Sequence, residues 1–143
     1  MEEPSLIYDW NEVTQDFQWS SIESVELDDE TLRDGLQNPS VVDPPISEKI
    51  RLLHYMDQLG ITTADIGLPG AGPRAVDDVI ELVEYIRDNK LPIRPCCAGR
   101  THPNDILPII DISKNTGVPV EAMMFLGTYP IRMYAEKWEE DRL

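Results

Sequence analysis

The chain has 143 residues, with 12 basic side chains against 27 acidic ones and a formal net charge of −15. That length suits one domain with a real core, and so negative a surface repels nucleic-acid phosphates and anionic lipid, which argues against both as partners. No apolar run approaches the roughly 20 residues of a membrane span. The start, MEEPSLIYDW, also lacks the basic and apolar regions of a signal peptide, so a cytoplasmic location is expected.

Residues 1–22 read as an N-terminal extension carrying Tyr8, Trp10, Phe17 and Trp19 among acids. Those rings need burial, either as a cap packed on the fold or as an arm onto a partner subunit. A rhythm of strands and helices then begins. Val25–Leu27 is expected as a short strand. Ser47 can cap a helix that runs to Gly60, with Ile46, Ile50, Leu53 and Met56 as its apolar side. Ile61–Leu68 is a second strand. Gly72-Pro73 opens a second helix, with Val76, Val79, Ile80, Val83 and Ile86 at helical spacing. Leu91–Ala98 is a third strand, expected to be short or bulged because Pro92 and Pro95 interrupt it. The adjacent Cys96 and Cys97 lie in it; neighbouring strand residues point to opposite faces, so they read as a structural pair and not as a metal or redox site. Pro103–Gly117 is a third helix with Ile106, Ile109, Ile110 and Ser113 on one face. Val118–Leu126 is a nearly all-apolar fourth strand, and the chain from Pro130 onward reads as helix.

Strands alternating with helices indicate an α/β fold with a parallel sheet, its apolar strands buried on both sides. The two architectures that fit are an open doubly wound sheet and part of a (β/α)8 barrel. In either, functional groups gather at the C-terminal ends of the strands. The stretch Asp28–Gln37, DDETLRDGLQ, stands at such an end. There Asp34 could be a hard oxygen ligand for a divalent metal and Arg33 could stabilise an oxyanion. Gly35 permits a sharp turn, and Gln37 can donate to a carboxylate. A plain surface Arg-Asp pair in a loop fits the same residues.

The longer pattern D-x-T-L-R-D-G-x-Q resembles the signature of the DRE-TIM metallolyase superfamily. That group includes 2-isopropylmalate, homocitrate and citramalate synthases and 3-hydroxy-3-methylglutaryl-CoA lyase. The segments ADIGLPGAGP (from Ala64), CAGR (from Cys97) and GTYPIRMYAEKW (from Gly127) are similar to later segments of the same group, in order. The resemblance implies the first four βα units of a (β/α)8 barrel over residues 23–143. It implies an acyltransferase of the 2-isopropylmalate synthase type, which joins acetyl-CoA to a 2-keto acid in leucine biosynthesis. It makes Asp34 a ligand of a divalent ion (Mg, Mn or Zn) in the full-length enzyme and Arg33 the group that polarises the keto oxygen. Gln37, Asp65, Arg100 and Thr128 become substrate-binding positions. Leu36-Gln37-Asn38 match the lyase form instead, whereas Thr31-Leu32 match the synthases. A carbon–carbon lyase and a non-catalytic half-barrel partner subunit are therefore the alternatives.

The superfamily completes its metal site with a His-x-His pair late in the barrel, and here only His54 and His102 occur, far apart. His54 reads as a helix-surface residue and His102 as a turn residue. A barrel needs about 250 residues, and EKWEEDRL has no helix stop signal. The expectation is an N-terminal portion of a longer enzyme, inactive when isolated. It should form a homodimer or self-associate through open sheet edges.

Overall fold

The computed structural model describes residues 24–139 and Asp141. The extension over residues 1–22, with its four aromatic side chains, lies outside the described residues. Four strands alternate with four helices: β1 (Asp28–Asp29), α1 (Ile46–Gln58), β2 (Thr63–Asp65), α2 (Pro73–Asn89), β3 (Arg94–Arg100), α3 (Pro103–Thr116), β4 (Glu121–Phe125) and α4 (Pro130–Glu136). One-turn 3-10 helices at Gly35–Gln37 and Pro69–Ala71 follow β1 and β2.

All strand pairs are parallel and the sheet order is β1-β2-β3-β4. Parallel crossovers are right-handed, so an order that never reverses puts every connecting helix on the same side. A doubly wound sheet reverses its order and is covered on both faces. The chain therefore has the arrangement of four consecutive units of a (β/α)8 barrel. No helix among the described residues is long and apolar enough to cross a membrane.

The core fills the helix side of the sheet. Leu53 and Met56 of α1, Val79, Leu82, Val83 and Ile86 of α2, and Ile109 and Ile112 of α3 close over Ala64, Ile66 and Cys97. Each such buried aliphatic side chain stabilises by about 1.5–3 kcal/mol. Because strand side chains alternate, the opposite face carries Thr63 and Asp65, then Arg94, Cys96 and Ala98, then Glu121, Met123 and Phe125. Much of this face is polar, and Phe125 on β4 is 53% exposed. The expectation of strands buried on both sides holds for β3, where Pro95–Gly99 are all buried, and not for β4, most of whose residues are exposed.

Local chemistry shifts several boundaries. Helix α1 starts at Ile46 behind Pro45, one residue before the expected Ser47 cap, because Pro45 already holds extended backbone there. Strand β1 is Asp28–Asp29 and not Val25–Leu27, whose two apolar side chains are exposed. Strand β3 is the longest, contrary to the expectation of a short or bulged one. Arg94 N–H donates to the Thr62 carbonyl, and Ile66 N–H donates to the Cys96 carbonyl, so even-numbered residues of β3 bond towards β2. Pro95 therefore turns its missing N–H towards β4, and the ladder with β4 begins only at Cys96. The buried face of α3 is Asp105, Ile109, Ile112 and Thr116, and Ile110 is exposed. Gly117, in the left-handed region (φ 69°), ends that helix as C-terminal glycines do. Helix α4 is not open-ended: Lys137 adopts a left-handed conformation (φ 55°) and its N–H, with that of Trp138, returns to the last turn.

Candidate active site at the strand ends

The turn after β1 is built by short-range bonds. Thr31 N–H donates to Asp29 Oδ1 at 2.8 Å, and the Glu30 carbonyl accepts from Arg33 and Gly35, each at 3.1 Å. Leu32 is buried and anchors the turn on the core. Arg33 is thereby folded back over the end of the neighbouring strand. Its Nε donates to Asp65 Oδ2 at 3.1 Å, one Nη donates to Asp34 Oδ1 at 3.0 Å, and the other pairs with Glu30. A guanidinium has five N–H groups, so two remain for a ligand.

Asp65 is fully buried. Besides Arg33, its Oδ1 accepts from Gly67 N–H at 3.2 Å and from Ala98 N–H at 3.3 Å. Burial pushes its carboxyl pKa above the usual value, and the opposing pull of those amides and of Arg33 does not cancel the rise. Asp65 fixes Arg33 to β2 and, through Ala98, ties both to β3.

Arg33 lines a cavity of about 370 Å³ between the loops after β1 and β2 and the start of α2. Leu36 and Gln37 share its wall, as do Lys49, Asp43 and Asp78. Lys49 is almost completely buried and bridges Asp43 at 2.8 Å and Asp78 at 2.7 Å. Burial alone would lower its pKa, but hydrogen bonds and charge from Asp43 and Asp78 hold it above the ordinary value. The bridge pins the loop that carries Gln37 onto α2. Sequence reasoning missed it, since a lysine in an amphipathic helix reads as solvent-facing and one of its partners, Asp78, lies 29 positions away.

The structure thus brings together Arg33, Asp34 and Asp65, with Gln37 on the same cavity wall. Asp34 is two-thirds exposed, its carboxylate turned to Arg33. Among the described residues no three side chains of metal-ligating type converge, so Asp34 is a single candidate ligand and the described residues do not make a complete metal centre. Arg100 and Thr128 are not in this group. Arg100 is exposed at the end of β3 and is gripped by Asp105, whose buried carboxylate accepts from the Arg100 backbone N–H at 2.9 Å and from Nε and Nη2 at 2.8 Å. Those bonds hold the Asp105 carboxyl far below the usual carboxylate range. The signal for Asp105 was an acid in the first turn of a helix, which favours that helix end. Thr128, exposed between β4 and α4, does not line the Arg33 cavity.

The remaining sequence candidates are structural. His54 bonds the Tyr85 hydroxyl at 2.8 Å, edge-on to its ring. His102 caps α3, its Nδ1 accepting from Asn104 N–H. Cys96 and Cys97 are both free and buried, and burial raises both thiol pKa values strongly.

The buried carboxylate and the pinned arginine lie at the C-terminal ends of sequential parallel strands, the place where (β/α)8 barrels carry their sites. Comparison with known proteins narrows the class. No family model matches the chain. It is 27% identical over 116 residues to an (R)-citramalate synthase from Synechocystis, covering 81% of this chain and 19% of the relative. It is 29% identical over 120 residues to a 2-isopropylmalate synthase from Halothermothrix orenii, covering 83% and 22%. To a 2-isopropylmalate synthase from Lactococcus lactis it is 27% identical over 114 residues, covering 76% and 20%. The chain spans about a fifth of the length of these curated relatives. The resemblance to DRE-TIM synthases read from the motifs therefore holds across most of the chain.

Proposed function

We propose that this chain supplies the Arg33 corner of a condensing synthase that joins an acyl-CoA, most simply acetyl-CoA, to a 2-keto acid, with 2-isopropylmalate synthase as the model reaction. The observation that supports it is the Arg33–Asp65 pair at the C-terminal ends of adjacent parallel strands, in a chain similar to synthases of that kind. The two free guanidinium N–H groups of Arg33 would hold the keto oxygen as negative charge develops on it. Asp65 keeps the guanidinium oriented, and Gln37 on the cavity wall would donate to the keto-acid carboxylate. Asp34 would offer one carboxylate to a divalent ion, whose further ligands would have to come from outside the described residues. Among the described residues β4 is paired on one side only, which is in keeping with the expected self-association through open sheet edges.

The test is binding of 2-keto acids to the purified protein, followed by calorimetry, with thiol release from acetyl-CoA measured in parallel. Saturable binding of pyruvate or 2-oxoisovalerate that weakens at least about tenfold in Arg33→Met would support the reading, one lost charged hydrogen bond being worth that much. No binding of any 2-keto acid would remove it. Cleavage of a 3-hydroxyacyl-CoA without a keto acid would point to the lyase instead.

A further inference from the structure

Seven arginines fall among the described residues, and six of them pair with a carboxylate: Arg33, Arg51, Arg74, Arg87, Arg94 and Arg100. Arg132 alone has no acid partner among the described residues, in a chain of net charge −15. Its Nε is buried and has no hydrogen-bond partner among the described residues. Leaving such a donor unsatisfied is costly, and natural sites rarely do so without a reason.

The guanidinium is also held still. Its carbon lies 5.5 Å from the centroid of the Trp138 ring. Its other neighbour is the backbone at Gly127, where an added Cβ would come within 3.2 Å of Arg132 Cδ and 3.3 Å of a terminal nitrogen. A planar fork held between an indole and a glycine is pre-organised to present its edge.

Arg132 also lines a cavity of about 240 Å³ at the ends of β3 and β4, together with Arg100, His102 and Phe125. Arg100 spends Nε and one terminal nitrogen on Asp105, which leaves its other terminal nitrogen free of that pair. His102 uses Nδ1 as an acceptor, so its neutral ring carries the proton on Nε2 and is a donor there. Two donor-only guanidinium groups and one imidazole N–H therefore line one small space with partly apolar walls, where charge-assisted hydrogen bonds are strengthened. The space is below the roughly 300–1,000 Å³ of pockets that enclose whole ligands, so it suits a single charged group.

We propose that this cavity binds a phosphoryl group, either free phosphate or the phosphate end of a larger ligand. The inference stands on Arg132 and its surroundings and does not depend on the keto-acid reading. The test is an NMR titration of the nitrogen-15-labelled chain, following the arginine Nε–H resonances, with that of Arg132 identified by its loss in Arg132→Lys. Inorganic phosphate is added at ionic strength held constant with chloride, in parallel with acetate and with adenosine 3′,5′-bisphosphate. The expected result is a saturable shift of the Arg132 signal by phosphate at millimolar concentration, weakened about tenfold in Arg132→Lys, which keeps the charge but loses the fork. A much tighter response to the bisphosphate assigns the site to the phosphate end of a nucleotide, and equal responses assign it to free phosphate. An Arg132 signal that does not saturate, or that responds equally to acetate, overturns the proposal. Should Arg132→Lys fail to fold, the Arg132 Nε–H signal is identified instead by its nuclear Overhauser contact with the Trp138 ring, so the wild-type titration still decides the matter.

Discussion

Replacing Arg33 by methionine and Asp65 by asparagine, singly and together, reports how the site is held. The Asp65 side chain is fully buried and that of Arg33 is 18% exposed. Arg33→Met leaves the carboxylate with only the Gly67 and Ala98 amides. Removing one partner of a buried pair costs about 3–5 kcal/mol. The two retained amide bonds and the partial exposure of Arg33 place this case lower, at about 2–3 kcal/mol. Asp65→Asn keeps an oxygen for the two amides but turns an NH₂ towards Arg33 Nε, at a cost of about 1–2 kcal/mol. The double variant has neither the orphaned charge nor the donor–donor clash, so the single costs should not add, by about 1–2 kcal/mol. Urea unfolding at neutral pH, followed by far-ultraviolet circular dichroism, measures all three.

The pH dependence supplies a second readout. Burial raises the folded-state pKa of Asp65, so the folded protein binds this proton more tightly than the unfolded chain does. Its contribution is therefore fully present below the ordinary carboxylate pKa of about 4, and is lost as pH rises through the raised value. Asp65→Asn should flatten that slope. Arg33→Met, which removes the cation opposing the rise, should extend it to higher pH. Additivity of the two single variants within about 0.5 kcal/mol, with an unchanged pH slope, would refute the claim that Arg33 and Asp65 act as one unit.

Three further outcomes follow from the packing. Lys49→Met should destabilise by about 1–3 kcal/mol in the same urea assay, because Asp43 and Asp78 are left facing each other and both are partly exposed. Gly70→Ala should cost about 1–3 kcal/mol, since the new Cβ would lie 2.8 Å from Asp105 Cγ and 3.2 Å from its backbone Cα, which cannot swing aside. Asp105, whose carboxyl is held low by Arg100, contributes stability that is present above the ordinary carboxylate pKa and is lost as pH falls through the depressed value. Asp105→Asn should accordingly make acid unfolding below about pH 4 less steep, as read by tryptophan fluorescence.

What could be read from the sequence depended on whether the signal was local. Helix α2 was legible because five aliphatic residues repeat at helical spacing behind Gly72-Pro73, and all of them pack on the core or in it. Strand β1 was misplaced because apolarity was taken as the mark of a strand. Val25 and Leu27 are exposed, whereas Asp28 and Asp29 make the ladder with β2. The length of β3 depended on which way the Pro95 nitrogen faces, a property of register and not of composition. In the site, motif resemblance singled out Arg33, Asp34 and Asp65. The contact of Arg33 with Asp65 spans 32 positions and exists only because β1 lies beside β2. The Lys49 bridge is hidden for the same reason. Arg132 stayed unnoticed because its significance lies in the partner it lacks.

The strands lie in space in the order in which they occur in the chain. Every strand therefore docks on one made just before it, and helices α1, α2 and α3 likewise pack each on its predecessor. Loop closures stay within a single βα unit, which keeps contacts short-range and their entropic cost small. A ribosome releasing this chain from its N-terminus delivers each unit to a finished neighbour, so the sheet can lengthen at one growing edge during synthesis. Among the described residues β4 is that edge, with Met123 and Phe125 on the side opposite the helices.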